Sequence, residues 1–306
     1  MDILRGTDFK IQNSAVSLGK FDGIHRGHRL LLQEILQAAP LVPTVFTFDT
    51  AGNGMKKDGS FRSQIYDQRE KSILLQTIGV EREILFPFHE GTRQMLPQDF
   101  IKQILHEAMD AKLVCVGEDF RFGKDRSGDV GMLQQYAHQY GYCVKVIPKL
   151  REDGDIISST RIRTLLQEGK LSAANHLLGE AFFFYGEVVH GNALGRTMQM
   201  PTANLLPKPE KVLPPAGVYA TRVTVRGEEY SAVTNLGYKP TVGSTQVGVE
   251  SCLLDFDQDI YGEEICVRFH QFLRPEQKFD CLDALRSQMK QDKCQAADAL
   301  HDLGFA

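Results

Sequence analysis

No apolar run in this sequence approaches the roughly 20 residues that a helix needs to cross a bilayer. The opening MDILRGTDFK also lacks the basic and apolar regions of a secretory signal, so a cytoplasmic protein is expected. Positive charge is not in excess. The 35 Lys and Arg stand against 39 Asp and Glu, a formal net charge of −4, and the broad basic footprint of a nucleic-acid binder is missing. Cysteine is sparse: Cys115, Cys143, Cys252, Cys266, Cys281 and Cys294 include no two at the close spacing of structural zinc sites, which favours reduced, packed thiols. No internal repeat or low-complexity tract occurs. What remains is the profile of an ordinary globular protein, 42% hydrophobic and 24% charged, and 306 residues favour two domains over one.

From Asn13 to about Leu178, short β-rich segments alternate with longer helical ones. Ala15 to Leu18, Thr44 to Phe48, Glu83 to Phe86, Lys112 to Gly117 and Cys143 to Ile147 have the composition of buried strands. Between them, HRLLLQEILQAA, DQREKSILLQTIG, PQDFIKQILHEAM and GMLQQYAHQYG carry apolar residues at helical spacing. The alternation predicts a doubly wound α/β domain with a parallel sheet. A short helical stretch follows at Leu171 to Leu178. FFFYGEVVHG, GVYATRVTVRGEEYSAVTNLG and SCLLDF then read as strands broken by turn residues, which predicts a small antiparallel β-barrel. The last segment, CLDALRSQMKQDKCQAADALHDLG, returns to helical periodicity and is expected to pack on that barrel. The boundary is placed near Gly179 to Phe184, giving domains of residues 1–180 and 181–306.

The sharpest local feature is Gly19-Lys20-Phe21-Asp22-Gly23-Ile24-His25-Arg26-Gly27-His28, just after the first of these strands and opening the first helix. In open α/β sheets ligands bind beyond the carboxyl ends of the strands, and a helix N-terminus offers N–H groups and a positive dipole end to phosphate. His25 and His28 stand three residues apart, hence on one face, and Gly27 lets a phosphate or base approach the backbone. Two imidazoles there can donate to triphosphate oxygens as charge builds during displacement at the α-phosphorus. Two exposed histidines in a turn are the plain alternative. A second piece, Ile157-Ser158-Ser159-Thr160-Arg161-Ile162-Arg163, puts three hydroxyls and arginines at another helix start; it reads as a phosphate clamp or as a simple N-cap.

At these residues the chain resembles the bifunctional riboflavin kinase/FAD synthetase family of bacteria, whose N-terminal domain is an HxGH nucleotidyltransferase. Val116-Gly117-Glu118-Asp119-Phe120-Arg121-Phe122-Gly123-Lys124, followed by Ser127-Gly128, is similar to that family's loop after the fourth strand. The resemblance implies that Gly19, Phe21, Asp22, Gly23, His25, Gly27, His28, Ser158, Ser159, Thr160 and Arg163 bind ATP while the FMN phosphate attacks the α-phosphorus. It also implies that Asp119, Phe120, Phe122 and Gly123 meet the flavin. One departure stands out. The family's segment after the second strand resembles TFxPHP, whereas this chain reads Thr47-Phe48-Asp49-Thr50-Ala51-Gly52-Asn53, with Asn53 or Lys56 as candidates to replace the missing histidine.

The barrel segment carries Gly186-Glu187-Val188-Val189-His190-Gly191, then Gly195-Arg196, then Pro201-Thr202-Ala203-Asn204. Glycines here permit a flap over phosphates, and Thr202 and Asn204 supply the hard oxygen ligands that Mg²⁺ takes beside nucleotide oxygens. Alone, PTAN is also an ordinary turn or strand edge. The stretch is similar to the GRxxGxPTAN of riboflavin kinases, with Met198-Gln199-Met200 as a departure. The later order agrees: Gly217-Val218-Tyr219, Asn235-Leu236-Gly237 with Pro240-Thr241, Glu250 before the apolar Cys252-Leu253-Leu254, Asp259-Ile260-Tyr261-Gly262, and Arg274 through Lys278-Phe279. The resemblance implies that Gly191, Gly195, Arg196, Pro201, Thr202 and Asn204 hold Mg-ATP, with Mg²⁺ on Thr202 and Asn204. It makes Glu250 the base for the ribityl 5′-hydroxyl, and gives Arg274 either a flavin or nucleotide contact or a structural ion pair. The expected activity is riboflavin to FMN to FAD, using ATP twice. A kinase alone, or a non-catalytic flavin-binding regulator, are the alternatives.

Overall fold

A computed structural model describes residues 1–49, 63–190, 202–241 and 244–305, which divide into two compact units, Met1–Ser159 and Thr160–Ala306. The first unit runs β1 (Asp2–Arg5), β2 (Ser14–Leu18), α1 (Arg26–Leu36), β3 (Val42–Asp49), α2 (Gln68–Ile78), β4 (Arg82–Pro87) and α3 (Glu90–Arg93). It continues with α4 (Pro97–Asp99), which leads into a π-helical stretch Phe100–Ala108, then β5 (Ala111–Gly117), the hairpin β6 (Arg121–Phe122) and β7 (Gly128–Asp129), and α5 (Val130–Tyr140). After β8 (Cys143–Ile147) and the hairpin β9 (Arg151–Glu152) and β10 (Asp155–Ile156), its last residue opens α6 (Ser159–Gln167).

Six strands form one parallel sheet in the order β1-β4-β3-β2-β5-β8. The doubly wound architecture is therefore present, with one strand more than the sequence pattern indicates. That strand, β1, pairs with β4 at the sheet edge, and its mostly exposed DILR has neither alternation nor an apolar run to mark it. Every residue of β2 is buried, as a central parallel strand covered on both faces requires. The chain winds from β2 to β3 and β4 on one side, and to β5 and β8 on the other. A crevice thus opens at the carboxyl ends of β2 and β5, the place where such sheets bind ligands. Local chemistry sets the helices around it. Asp67 and Glu70 form a reciprocal capping box on α2, whose end is Gly79 at φ 105°.

The second unit holds most of α6, then α7 (Leu171–Leu178), β11 (Phe183–Glu187), β12 (Ala203–Leu205), β13 (Gly217–Val225), β14 (Glu228–Thr241), β15 (Ser244–Leu253), β16 (Glu264–Arg274) and α8 (Leu282–Asp302). The strands form an antiparallel sheet in the order β11-β16-β13-β14-β15-β12. Its two edges meet through an antiparallel bridge between Val189 and Asn204, so the sheet is nearly closed into a barrel. Phe182, Phe183, Phe184, Tyr219 and Phe269 are buried. The Lys211 ammonium donates to the Phe183 carbonyl at 2.7 Å and lies 4.8 and 4.9 Å from the Phe182 and Phe184 rings, tying the segment between β12 and β13 to β11. Ala296, Ala299 and Leu300 of α8 pack against Ala220 of β13, small residues that let helix and sheet approach closely. The barrel with a terminal helix agrees with the sequence reading. All six cysteines are free thiols.

Candidate active sites

His25 is the N-cap of α1. Its Nδ1 accepts the His28 backbone N–H at 3.3 Å, so its own proton sits on Nε2. The two imidazoles stack with centroids 3.7 Å apart, and the Phe21 ring lies 5.3 Å from that of His28. The loop that delivers them is bent hard: Phe21 (φ 50°), Gly23 (φ 86°) and Ile24 (φ 40°) all lie in the left-handed region. A side chain at Gly27 would come within 3.3 Å of the His25 ring, and one at Gly19 within 3.1 Å of Phe21. Asp22 secures the bend. Its Oδ1 accepts the Ile65 N–H at 2.8 Å, and its carbonyl accepts the Ser159 hydroxyl at 2.8 Å. The start of α6 is thereby joined to the loop after β2, the loop that carries the histidine pair. Ser158 is half-buried beside it. Further along α6, Arg163 Nη2 donates to Thr160 Oγ1 at 3.1 Å.

The electrostatics of the pair follow from burial. Desolvation lowers the His25 imidazole to about 4, and pushes His28 well below its ordinary value with His25 as a lesser contributor. Near neutral pH both rings are uncharged and act as N–H donors. His28 Nδ1 is buried with no hydrogen-bond partner among the described residues, an unmet polar atom of the kind a ligand oxygen satisfies. A stability consequence has a definite sign. As the pH falls from 6.5 towards about 4, the unfolded chain takes up protons that folded His25 refuses, so this unit loses stability across that window and holds it above. His25→Asn keeps a capping oxygen and removes the titration. Its melting temperature is expected to drop less than that of wild type between about pH 7 and about pH 5, whereas equal slopes would contradict the assignment.

The loop after β5 flanks the same crevice. Asp119 is ion-paired to Lys149 at 2.8 Å, half-buried Phe120 stacks on Phe122 at 5.7 Å, and Phe122 itself belongs to the hydrophobic core against Phe100. Gly123 adopts φ 70° where a Cβ would stand 2.8 Å from the Pro97 backbone, so only glycine fits. Of the departure after the second expected strand, Thr47, Phe48 and Asp49 are described. Asp49 pairs with Arg5 at 3.0 Å. Asn53 and Lys56 lie outside the described residues.

In the second unit, strand register assembles the site. Asn204 on β12 stands directly opposite Glu250 on β15, and Glu250 directly opposite Asn235 on β14. Cross-strand partners share a face, so the three side chains form one row across the sheet. Val218 on β13 and Arg274 on β16 continue it. Asn204 Nδ2 donates to Thr202 O at 3.1 Å and lies 3.5 Å from Thr202 Oγ1, which turns the amide oxygen away from Thr202. The donor set is hydroxyl and amide oxygen with a carboxylate across the strand, which fits a hard dication held jointly with a nucleotide. Among the described residues no group of three or more His, Cys, Asp or Glu could hold a metal by itself. Gly191, Gly195, Arg196 and Pro201 lie outside the described residues, as does Met198-Gln199-Met200.

Arg274 takes the ion-pair geometry. Its Nε and Nη2 donate to the two carboxylate oxygens of Asp292 at 2.8 and 2.7 Å, and Nη1 donates to Pro275 O at 3.0 Å. Asp292 is 2% exposed, and the fork fastens α8 to β16. Breaking a buried pair from one side strands the other charge, so Asp292→Ala is expected to cost about 3–5 kcal/mol in denaturant unfolding of this unit. A cost below about 1 kcal/mol would make the fork incidental.

Asn235 has no role that the sequence motif Asn235-Leu236-Gly237 reveals. Its Nδ2 donates to Glu276 Oε1 at 3.2 Å, and its place beside Glu250 follows from strand pairing that spacing alone does not reveal.

Comparison with known proteins agrees with both halves. Residues 8–161 match the family model described as FAD synthetase, and residues 178–300 the one described as riboflavin kinase. The bifunctional riboflavin kinase/FMN adenylyltransferase of Escherichia coli (strain K12) is 35% identical over 291 residues, covering 94% of this chain and 93% of the relative. The chain belongs to the bifunctional riboflavin kinase/FMN adenylyltransferase family. The Bacillus subtilis (strain 168) member is 33% identical over 290 residues, covering 92% of this chain and 91% of its own. A crystal structure from Streptococcus pneumoniae, described as a macrolide-efflux protein, superposes with a TM-score of 0.82 at 32% identity, covering 96% of this family member and 98% of that chain. Among the described residues of this one, no helix is long and apolar enough to cross a membrane. Enzymes of the two matched families use ATP, generally with a divalent metal ion.

Proposed function

We propose that this chain phosphorylates riboflavin with ATP to give FMN and ADP, and joins FMN to the AMP moiety of a second ATP to give FAD and pyrophosphate. The observation that carries the reading is the register of Asn204, Glu250 and Asn235: an amide side chain tied to Thr202 through its nitrogen, with a carboxylate directly across the strand. We assign phosphorylation to residues 181–306 and adenylyl transfer to residues 1–180.

In the first reaction Glu250 takes the proton of the ribityl 5′-hydroxyl as its oxygen attacks the γ-phosphorus, and ADP leaves. Thr202 and Asn204 would hold Mg²⁺, which when bound would offset the charge on the transferring phosphoryl group. In the second reaction the FMN phosphate oxygen attacks the α-phosphorus of ATP and pyrophosphate leaves, with no covalent enzyme intermediate. His25 Nε2–H and the His28 ring donate to the phosphate oxygens, and Ser158, Ser159, Thr160 and Arg163 supply further donors at the start of α6. Gly19, Phe21, Asp22, Gly23 and Gly27 shape the loop that receives the nucleotide. Gly191, Gly195, Arg196 and Pro201, outside the described residues, are assigned to ATP binding on the likeness of their motif. Asp119, Phe120 and Gly123 form the part of the loop we assign to the flavin, with Phe122 packed behind them in the core. Arg274 sets the sheet and helix behind the kinase site. The need for ATP as co-substrate supports a cytoplasmic location.

Incubation of the purified protein with Mg-ATP and riboflavin, and separately with FMN, followed by chromatography of the flavins, tests this. FMN and FAD are expected from the first mixture and FAD from the second. FMN without FAD would select the kinase-only reading, which the altered Thr47 to Asn53 segment favours; neither product would overturn both.

A further inference from the structure

Gly237 follows Asn235 two residues on, hence on the same face of β14, and stands directly opposite Gly248 on β15. Two glycines side by side leave a floor without side chains next to the Asn235–Glu250 pair. One carboxylate comes back over that floor. Glu276, from the segment after β16, accepts Asn235 Nδ2 at 3.2 Å, and a Cβ at Gly237 would overlap its Oε1. A second glycine makes room for the same segment on β13, where a Cβ at Gly217 would stand 2.5 Å from the Arg274 carbonyl oxygen. The segment is also held from behind. The Arg274 guanidinium is forked to buried Asp292 of α8 and donates to the Pro275 carbonyl, and Pro275 has its φ fixed by its ring. A braced arm, not a free loop, delivers Glu276 to Asn235.

That contact decides which way the Asn235 amide faces. A carboxylate only accepts, so the amide turns its nitrogen to Glu276 and keeps its oxygen as the accepting end. On the neighbouring strand the Glu250 carboxylate stands directly opposite. An amide oxygen and a carboxylate side by side match a ligand with hydroxyl donors side by side. A ribityl chain is such a ligand, because next to the 5′-hydroxyl that reacts it carries three more. An amide free to flip would present its nitrogen to those donors and lose the match.

We propose that Asn235 is a specificity-determining residue for the kinase reaction, its amide oxygen accepting a ribityl hydroxyl other than the one phosphorylated, and that Glu276 is the positioning residue that holds the amide for it. The proposal rests on the riboflavin-kinase reading of this site.

The test measures initial rates of phosphorylation by the full chain with Mg-ATP on riboflavin and on its 2′-, 3′- and 4′-deoxy analogues. Wild type is expected to favour riboflavin over at least one analogue by about tenfold or more in kcat/KM, since a site built to bond a hydroxyl is penalised when the hydroxyl is missing. Asn235→Ala and Glu276→Ala should each bring that ratio below about threefold by raising KM for riboflavin, with KM for ATP and FAD formation from FMN within about twofold of wild type. Because Glu276 acts through Asn235, the double variant should lose no more than about twofold beyond Asn235→Ala. Glu276→Gln keeps an accepting oxygen and should restore most of the selectivity. Gly237→Ala reaches the same state by another route and decides the matter if an alanine variant fails to fold. It leaves Glu276 chemically intact but displaces its carboxylate, so it should cost selectivity by itself and nothing further in a Glu276→Ala background. A wild type indifferent to the missing hydroxyls, an unchanged ratio in Glu276→Ala, or losses that multiply in the double variant would overturn the proposal; a residue that only braces the barrel moves the melting temperature and not the ratio. Wild-type protein that makes no FMN overturns the kinase reading as well, whereas active wild type with unaltered selectivity overturns the roles of Asn235 and Glu276 alone.

Discussion

Glu250→Gln is expected to lower riboflavin phosphorylation by about 10²–10⁴-fold, the usual contribution of a general base. FAD formation from supplied FMN should stay within about twofold of wild type, because the substitution lies in the barrel unit. Gln keeps the shape of the side chain and its place opposite Asn204 and Asn235, so strand register and barrel are retained. What it loses is a lone pair basic enough to take the 5′-hydroxyl proton. The loss should therefore fall on kcat with KM for ATP little changed, as expected for an interaction made in the transition state. Initial rates of FMN appearance at saturating Mg-ATP give the answer. An unchanged rate would move the base to another group.

The second large effect belongs to the other unit. His28→Ala is expected to reduce FAD formation by about 10²–10³-fold, the scale for removing one preorganised donor to a developing charge. Riboflavin phosphorylation is left intact. His28 is the stronger choice than His25 for this purpose, because His25 also caps α1 and its removal mixes a folding effect with a chemical one. The Nδ1 of His28 is the structural reason to expect so large a loss: a buried polar atom left without a partner among the described residues is arranged for a ligand. FAD formation at a near wild-type rate would reduce the histidine pair to a packing feature.

How far these sites could be read from the chain depended on whether the signal was local. The loop from Gly19 to His28 was legible because a strand, a glycine-rich turn and a helix start follow one another within a few residues, and the structure places His25 at the cap itself. The other five strands of the sheet were legible because each is a compact run rich in β-branched and apolar residues, β8 at the opposite edge included. β1 was not, since an exposed edge strand of four residues needs no apolar pattern. Asn204, Glu250 and Asn235 are far apart in sequence and become neighbours only through antiparallel register, which no spacing rule reveals. Phe122, expected at the flavin, packs against Phe100, because an aromatic in a glycine-rich loop has the same local signature whether it turns outward or inward.

The central claim is that one chain carries two separate chemistries, each with its own residues. Complementation tests it most directly. Glu250→Gln and His28→Ala proteins are incubated with riboflavin and Mg-ATP, alone and mixed, and the flavins are separated. The first alone should leave riboflavin essentially unconverted, the second alone should stop at FMN, and the mixture should produce FAD. A mixture that yields no FAD from its own FMN, or a His28→Ala protein that makes FAD by itself, would contradict the account.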